Sequence, residues 1–256
     1  MNNWGKLIGV SLGPGDPELL TLKAHKQLQG KGLWTYPIKK KGAESYALNI
    51  AQGAGLATPD DAQALTFPMT RDQEKLAHAW AKAATELLPT LKDGRDVYFL
   101  VEGDASTYST FAHLARTVTG LEPSIEIETI AGVTSFNASA ARLNEPLALE
   151  GDAMAVIPAG YGVEVIKQLI SEFDCLVLIK VKPLLDDIIN LLESLDLLQY
   201  SSFIEKVGAA EERMITDVAT LKGEKVNYLS LLIVKNPNRI KGEMIKGCKK
   251  KETTHD

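Results

Sequence analysis

Cysteine is nearly absent from this chain, with only Cys175 and Cys248 in 256 residues. Cys175 lies inside the apolar run FDCLVLIKV and reads as a small core residue, while Cys248 stands alone in a lysine-rich tail. Neither has a partner at the spacing of a zinc knuckle or a redox pair. The four histidines, His25, His78, His113 and His255, are scattered without the H-E-x-x-H spacing of a helical zinc site. A metal centre built from protein ligands is therefore not expected. Positive charge is also short: 28 Lys and Arg against 33 Asp and Glu leave a net charge of −5. That removes the general electrostatic case for nucleic acid or an anionic membrane. No apolar run is long enough to cross a bilayer, and the opening MNNWGKLIGV lacks a basic segment followed by an apolar stretch and a cleavage site. The expectation is a cytoplasmic protein with no membrane or nucleic-acid partner.

What is present is the balance of a globular α/β protein, 45% apolar and 24% charged, with length for one large domain or two ordinary ones. Apolar, β-branched runs alternate with helical periodicity. Strands are expected at Leu7–Ser11 and Leu33–Tyr36 and in DVYFLVEG, with a helix from the first loop through about Gln29. Leu76, Trp80, Ala84, Leu87 and Leu91 fall on one helical face, and YSTFAHLARTV is the next helix. The second half continues with the strands SIEIETI, AMAVIP, CLVLIKV, SSFIEKVG and YLSLLIVK, interleaved with the helices TSFNASAARL, GVEVIKQLISEF and PLLDDIINLLESL. The first half is βαβα in style, which implies a largely parallel sheet, and the second half repeats the alternation. The Gly-containing turn near Thr119–Pro123 is the expected boundary, giving domains at 1–119 and 120–240. From Lys241 onward no apolar periodicity remains, and residues 241–256 read as a solvated, flexible tail.

Three loops each follow an apolar strand. VSLGPGDPELLT carries Asp16, Pro17 and Glu18 where a phosphate-binding P-loop needs Gly-Lys-Ser/Thr, and Glu18 where a dinucleotide fingerprint needs its third glycine. Common nucleotide loops are excluded. A tight turn with Asp16 or Thr21 capping the next helix remains, as does a different ligand loop. VEGDASTYST sets Gly103 and Asp104 at a strand's carboxyl end, where open α/β sheets bind ligands, although Asp104 or Ser106 also suits a helix cap. IAGVTSFN has the same strand–Gly–polar–helix layout.

Together these loops resemble the tetrapyrrole methylase family, which transfers methyl groups from S-adenosylmethionine. The family's G-x-G-P-G-D-P-x-L-L-T loop is matched at Gly13–Thr21 apart from its first residue, and its G-D-P-x-x-Y loop at Gly103–Tyr108 with Ala105 replacing proline. Its G-[VI]-[TS]-[SA] turn is matched at Gly132–Ser135, and the resemblance runs to about Pro237. WTYPIKKKGAESYALNIA, FPMTRD and STYSTFAHLA further resemble the branch that methylates precorrin-2, with or without cobalt, at the meso carbon C(20) in cobalamin biosynthesis.

The resemblance implies two α/β domains, each a mostly parallel or mixed sheet flanked by helices, with the cofactor in the cleft between them, and a homodimer. By matched position, Pro14 approaches the substrate side; Glu102, Gly103 and Asp104 form the cofactor loop, with Thr107 and Tyr108 beyond it. Thr134 and Ser135 face the cofactor, Ile179 and Lys180 pack on adenosine, Val207, Gly208 and Ala209 meet adenine through their backbone, and Ser230 is the last match. A polycarboxylate tetrapyrrole needs local positive charge, for which Lys39, Lys40, Lys41, Arg71 and Arg142 are candidates by type and location. No residue is expected as an obligatory catalytic nucleophile or base, because a sulfonium already activates its methyl group. The same resemblance leaves room for another regiochemistry on a tetrapyrrole, or for a protein (diphthamide) or RNA substrate.

Overall fold

The computed structural model describes residues 4–70 and 72–241; Arg71 and the segment beyond Lys241, with Cys248 and His255, lie outside the described residues. The apolar runs of the first half form β1 (Leu7–Ser11), β2 (Leu33–Ile38), β3 (Gln63–Thr66), β4 (Val97–Val101) and β5 (Ile127–Ile130). They lie in the order β3-β2-β4-β1-β5, and every pairing is parallel. Parallel neighbours need crossovers. α1 (Leu22–Leu28), α2 (Tyr46–Gly53), α3 (Gln73–Lys92) and α4 (Thr110–Leu121) provide them, and α5 (Ser135–Leu143) follows β5.

Successive strand residues feed two cores. Leu7, Val97, Phe99 and Val101 pack with Leu87 and Leu91 of α3 and Phe111 and Leu114 of α4. Ile8, Val10, Tyr98 and Leu100 pack with Leu28 of α1 and Ala47 and Ile50 of α2. This two-sided cover is why β1 and β4 read as unbroken apolar runs. The division follows from handedness. Crossovers β1–β2 and β2–β3 run one way along the sheet and β3–β4 and β4–β5 the other, so right-handed connections send their helices to opposite faces. β1 and β4 are therefore neighbours whose connections leave to opposite faces. Such a switch point opens a crevice at the carboxyl edge of the sheet.

The second half forms β6 (Met154–Pro158), β7 (Cys175–Ile179), β8 (Ser201–Glu205), β9 (Arg213–Ile215) and β10 (Ser230–Lys235), ordered β6-β7-β10-β8-β9. β6 and β7 are parallel, and β10 is antiparallel to both β7 and β8. α6 (Val163–Glu172) and α7 (Leu185–Ser194) seal its core with Ile166, Ile170, Ile188 and Leu192. Cys175 is buried in β7 as expected, and burial pushes its thiol pKa up.

The chain makes two compact units, one holding everything up to Leu143 plus Lys206–Arg213, the other Asn144–Glu205 plus the described chain from Met214. The boundary expected near Thr119–Pro123 is thus displaced. β5 opens no second domain; it extends the first sheet, with Ile127 opposite Leu7. An edge strand and the first strand of a new sheet are alike as apolar runs, so the boundary was invisible in one dimension. The helix expected from the first loop through Gln29 is likewise divided. A 3₁₀ turn at Pro17–Leu19 comes first, and α1 begins only at Leu22, because Leu20 and Thr21 are extended.

Candidate functional site

The order β4-β1-β5 places three strand ends side by side, so the three loops singled out in the sequence leave from adjacent positions. They are bonded to one another. Past the regular ladder, Leu12 N donates to Val101 O at 2.9 Å, and Gly13 and Gly103 exchange backbone hydrogen bonds at 3.2 and 2.6 Å. Both glycines have φ above +70° (79° and 73°), a conformation that disfavours a side chain. A Cβ on Gly103 would meet nothing within 4 Å, so backbone conformation, not crowding, demands this glycine. Ser11, fully buried at the end of β1, accepts a 2.8 Å bond from Ala105 N. The proline of the resembling motif has no N–H to give, so the Ala105 substitution comes with a compensating tie.

Asp104 is the centre of this arrangement and only 7% exposed. Its Oδ1 accepts from Ser106 N at 2.9 Å, from the Ser106 hydroxyl and from the Thr107 hydroxyl at 3.4 Å, while Oδ2 accepts from Gly132 N at 2.7 Å. Burial opposes ionisation, but the bonds from Ser106, Gly132 and Thr107 outweigh it and hold the carboxyl below its ordinary pKa. Asp104 is thus a fixed anion that ties the β4 loop to the β5 loop. The cap alternative raised from sequence falls to other residues: Ser109 caps α4 by accepting from Phe111 N at 2.9 Å.

Around the β1 loop, Asp16 caps the 3₁₀ turn by accepting from Glu18 N at 2.9 Å, and Thr21 caps α1 by accepting from Ala24 N at 3.2 Å. Pro14 is buried, and its carbonyl accepts from the Tyr46 hydroxyl at 3.2 Å. Burial pushes the Tyr46 phenol up to about 12, with the carboxylates of Glu102 and Glu211 adding to the effect. The segment 206–213 packs against the same loop. A Cβ on Gly15 would come within 2.6 Å of Val207 O and 3.0 Å of Ala209 N, so glycine is needed for this close approach. Val207 is buried and Gly208 has φ 81°.

Of the expected cofactor positions, Pro14, Glu102, Gly103, Asp104, Thr107, Tyr108, Thr134, Ser135, Val207, Gly208 and Ala209 all fall in the first unit. Glu102 and Tyr108 are exposed, Tyr108 with φ 50°. Thr134 accepts from Asn137 N at 3.3 Å, so its hydroxyl also serves the start of α5. In the second unit, β7 and β10 bring Ile179, Lys180 and Ser230 together: Lys180, at φ 58°, donates its N–H to Ser230 O at 3.0 Å. The Ser230 hydroxyl is given to Asn227 O at 2.7 Å.

The cations divide differently. Lys39, Lys40 and Lys41 are exposed just beyond β2, at the carboxyl edge of the parallel sheet, and hold no ion pair among the described residues. Arg142 is engaged with the protein's own carboxylates: Nη2 lies 3.2 Å from Asp16 and Nε 3.4 Å from Glu212. Arg71 lies outside the described residues. Ser11, Tyr46 and Glu212 were missed in the sequence. The signal for Ser11 was a hydroxyl ending an apolar strand; Tyr46 and Glu212 gave none, since their roles rest on contacts across 32 and 70 residues.

The chain matches the family model for Tetrapyrrole (Corrin/Porphyrin) Methylases over residues 6–222. It is 31% identical to a Methanocaldococcus jannaschii protein named "Probable cobalt-precorrin-2 C(20)-methyltransferase", across 91% of this chain and 97% of the other. Identity is 36% to the cobalt-precorrin-2 C(20)-methyltransferase of Salmonella typhimurium, across 69% and 73% of the two chains. Among solved structures, a cobalt precorrin-4 methyltransferase superposes with a TM-score of 0.66 at 18% identity, covering 90% of this chain and 94% of that one. A Thermus thermophilus uroporphyrin-III C-methyl transferase complexed with S-adenyl homocysteine gives 0.61 at 23% identity, covering 90% and 97%. At those identities the superpositions show the fold alone. The family match across most of the length, on a sheet whose switch-point loops carry its motifs, means that this chain belongs to the tetrapyrrole (corrin/porphyrin) methylase family.

Proposed function

We propose that the chain transfers a methyl group from S-adenosylmethionine to the meso carbon C(20) of precorrin-2, or of its cobalt-bearing form, in cobalamin biosynthesis. The observation that carries this reading is the similarity, over nine-tenths of the chain, to a relative named for that reaction. The residues fit the cofactor: backbone edges held at the switch point, open space above Gly103 and carboxylates at the rim suit a ligand with amide-seeking ends and a positive centre. Bound S-adenosylmethionine supplies an electrophilic methyl group on a cationic sulfur.

The protein's own part is alignment and exclusion of water. Asp104 fixes the loops after β4 and β5, Ser11 fixes the backbone at Ala105, and Tyr46 holds the Pro14 carbonyl. Glu102, Gly103, Thr107, Tyr108, Thr134, Ser135 and the backbone of Val207, Gly208 and Ala209 are proposed cofactor contacts in this unit; Ile179, Lys180 and Ser230 are carried as proposed contacts in theirs. Lys39, Lys40 and Lys41 meet substrate carboxylates. No side chain serves as an obligatory nucleophile or base, and the meso proton released after transfer goes to water or to a rim carboxylate, Glu102 included. A homodimer in the cytoplasm completes the reading.

The test is incubation with carbon-13 methyl donor and precorrin-2, with and without cobalt, followed by product mass and carbon NMR. Label at C(20) is expected. Label on another ring carbon replaces this regiochemistry with another, and no transfer to either tetrapyrrole overturns the reading.

A further inference from the structure

Arg142 lies on α5 and was a sequence candidate for binding substrate carboxylates, but its guanidinium is turned to two carboxylates of the protein. One is Asp16, whose other oxygen caps the turn after the Gly-Pro-Gly loop. The other is Glu212, whose Oε2 also accepts from Gly208 N at 2.5 Å. Arg142 therefore spans two pieces of chain far apart in sequence: the β1 loop and the segment 206–213. These pieces are in close contact. A Cβ on Gly208 would strike Asp16, and one on Gly15 would strike Val207 O. Within the segment, Lys206 O accepts from Ala209 N and Ala209 O from Glu212 N, each at 3.0 Å, and Lys206 pairs with Glu211, so its own bonds are local and its tie to the β1 loop runs through Arg142. Residues 206–212 are neither helix nor strand, and they belong to the first unit although β8 before them and β9, which begins at Arg213, lie in the other sheet.

We propose that Arg142 is a positioning residue for the methyl donor and not a receptor for the substrate. It clamps the 207–209 backbone onto the β1 loop through Asp16 and Glu212 and thereby sets donor affinity. The inference rests on the proposed reading, in which Val207, Gly208 and Ala209 meet the adenine. A guanidinium can bond two acceptors from one edge in fixed geometry, and an ammonium cannot reproduce that fork. With the side chain 46% exposed, each pair is partly screened, so the clamp biases the loop and does not decide whether the protein folds.

The experiment compares the full-length wild type, Arg142→Gln, Arg142→Lys, Glu212→Gln and the Arg142→Gln/Glu212→Gln double variant. Donor affinity is read by calorimetry with S-adenosylhomocysteine, tetrapyrrole KM by kinetics, and amide exchange over 206–213 by mass spectrometry. Arg142→Gln should weaken S-adenosylhomocysteine binding about three- to tenfold, the range for one or two partly screened ion pairs. It should also speed exchange at 206–213, leave tetrapyrrole KM within about twofold at saturating donor, and be partly rescued by Arg142→Lys. The double variant should be no worse than the worse single, since both remove one clamp. A raised KM with unchanged donor affinity would overturn the proposal in favour of a substrate receptor. Unchanged affinity and exchange would overturn it outright. Failure of the wild type to bind S-adenosylhomocysteine would instead strike the functional reading on which it rests.

Discussion

Replacing Asp104 with alanine removes the acceptor for four hydrogen bonds at once, and their environments set the cost. Ser106 is exposed, so its N–H and hydroxyl regain water. Gly132 N is half-buried behind the Gly103 carbonyl and has no other acceptor in the described structure, so its 2.7 Å bond to an ionised carboxylate is the main loss. A charge-assisted bond with a stranded donor is worth roughly 1.5–3 kcal/mol, and loosening of the adjoining loop adds about 1 kcal/mol. In a unit of this size that lowers the melting temperature by about 5–15 °C. Donor binding should fall at least tenfold, because the Gly103 backbone is no longer fixed relative to the β5 loop. Asp104→Asn, which keeps one acceptor oxygen, should fall between. The sign of the pH dependence follows from the folded carboxyl's depressed pKa. Its contribution is complete above the usual carboxylate range and is lost as pH falls through that range to the folded value. The Asp104→Ala variant should therefore lack the part of the acid destabilisation that the wild type shows there. Melting curves by circular dichroism and calorimetric titration with donor at several pH values measure all of this. An Asp104→Ala protein with wild-type melting and affinity would refute the reasoning, since the ties would then carry no free energy.

Tyr46→Phe should cost about 1 kcal/mol of stability and a few-fold in donor affinity by releasing the Pro14 carbonyl. In an ultraviolet titration, the wild-type-minus-variant difference should show no tyrosinate until the pH nears 12, and the stability tied to the neutral phenol is lost only as pH rises from about 10 through that value. Ala105→Pro, although it restores the residue of the resembling motif, should destabilise, because proline removes the N–H bonded to Ser11; a rise in melting temperature would count against the compensation. Replacing Lys39, Lys40 and Lys41 together by Gln should raise tetrapyrrole KM at low salt and leave donor affinity alone, as steady-state kinetics at two ionic strengths would show. Single substitutions of Glu102, Tyr108 and Thr134 should lower kcat in a graded way, by about 10–100-fold at most; a single-turnover experiment in which one of them abolishes transfer with both ligands bound would reveal a chemical catalyst.

Short-range chemistry made much of this protein readable in one dimension. Gly13 and Gly103 sit where only a positive φ closes the strand-to-loop corner, and Thr21 begins α1 as a capping hydroxyl should. Unbroken apolar runs at β1 and β4 reported a sheet covered on both faces, and the periodicity from Leu76 to Leu91 reported α3. These signals depend on each residue's own backbone preference or on neighbours within a turn, which is why the sequence alone determined the three loops, the family and most of the order of elements, while α2, β3 and β9 went unread.

The tertiary structure decided which groups those loops turn on each other. Asp104, read as a cofactor-loop carboxylate or a helix cap, is bonded to Gly132, 28 residues away; Ser11 meets Ala105 across 94 residues, and Arg142 meets Asp16 across 126. The domain boundary was hidden for the same reason: whether β5 extends one sheet or begins another depends on its pairing with β1. A residue's type fixes what it can donate, accept or bury. Strand order and crossover handedness fix the partner, and neither is written at any single position of the chain.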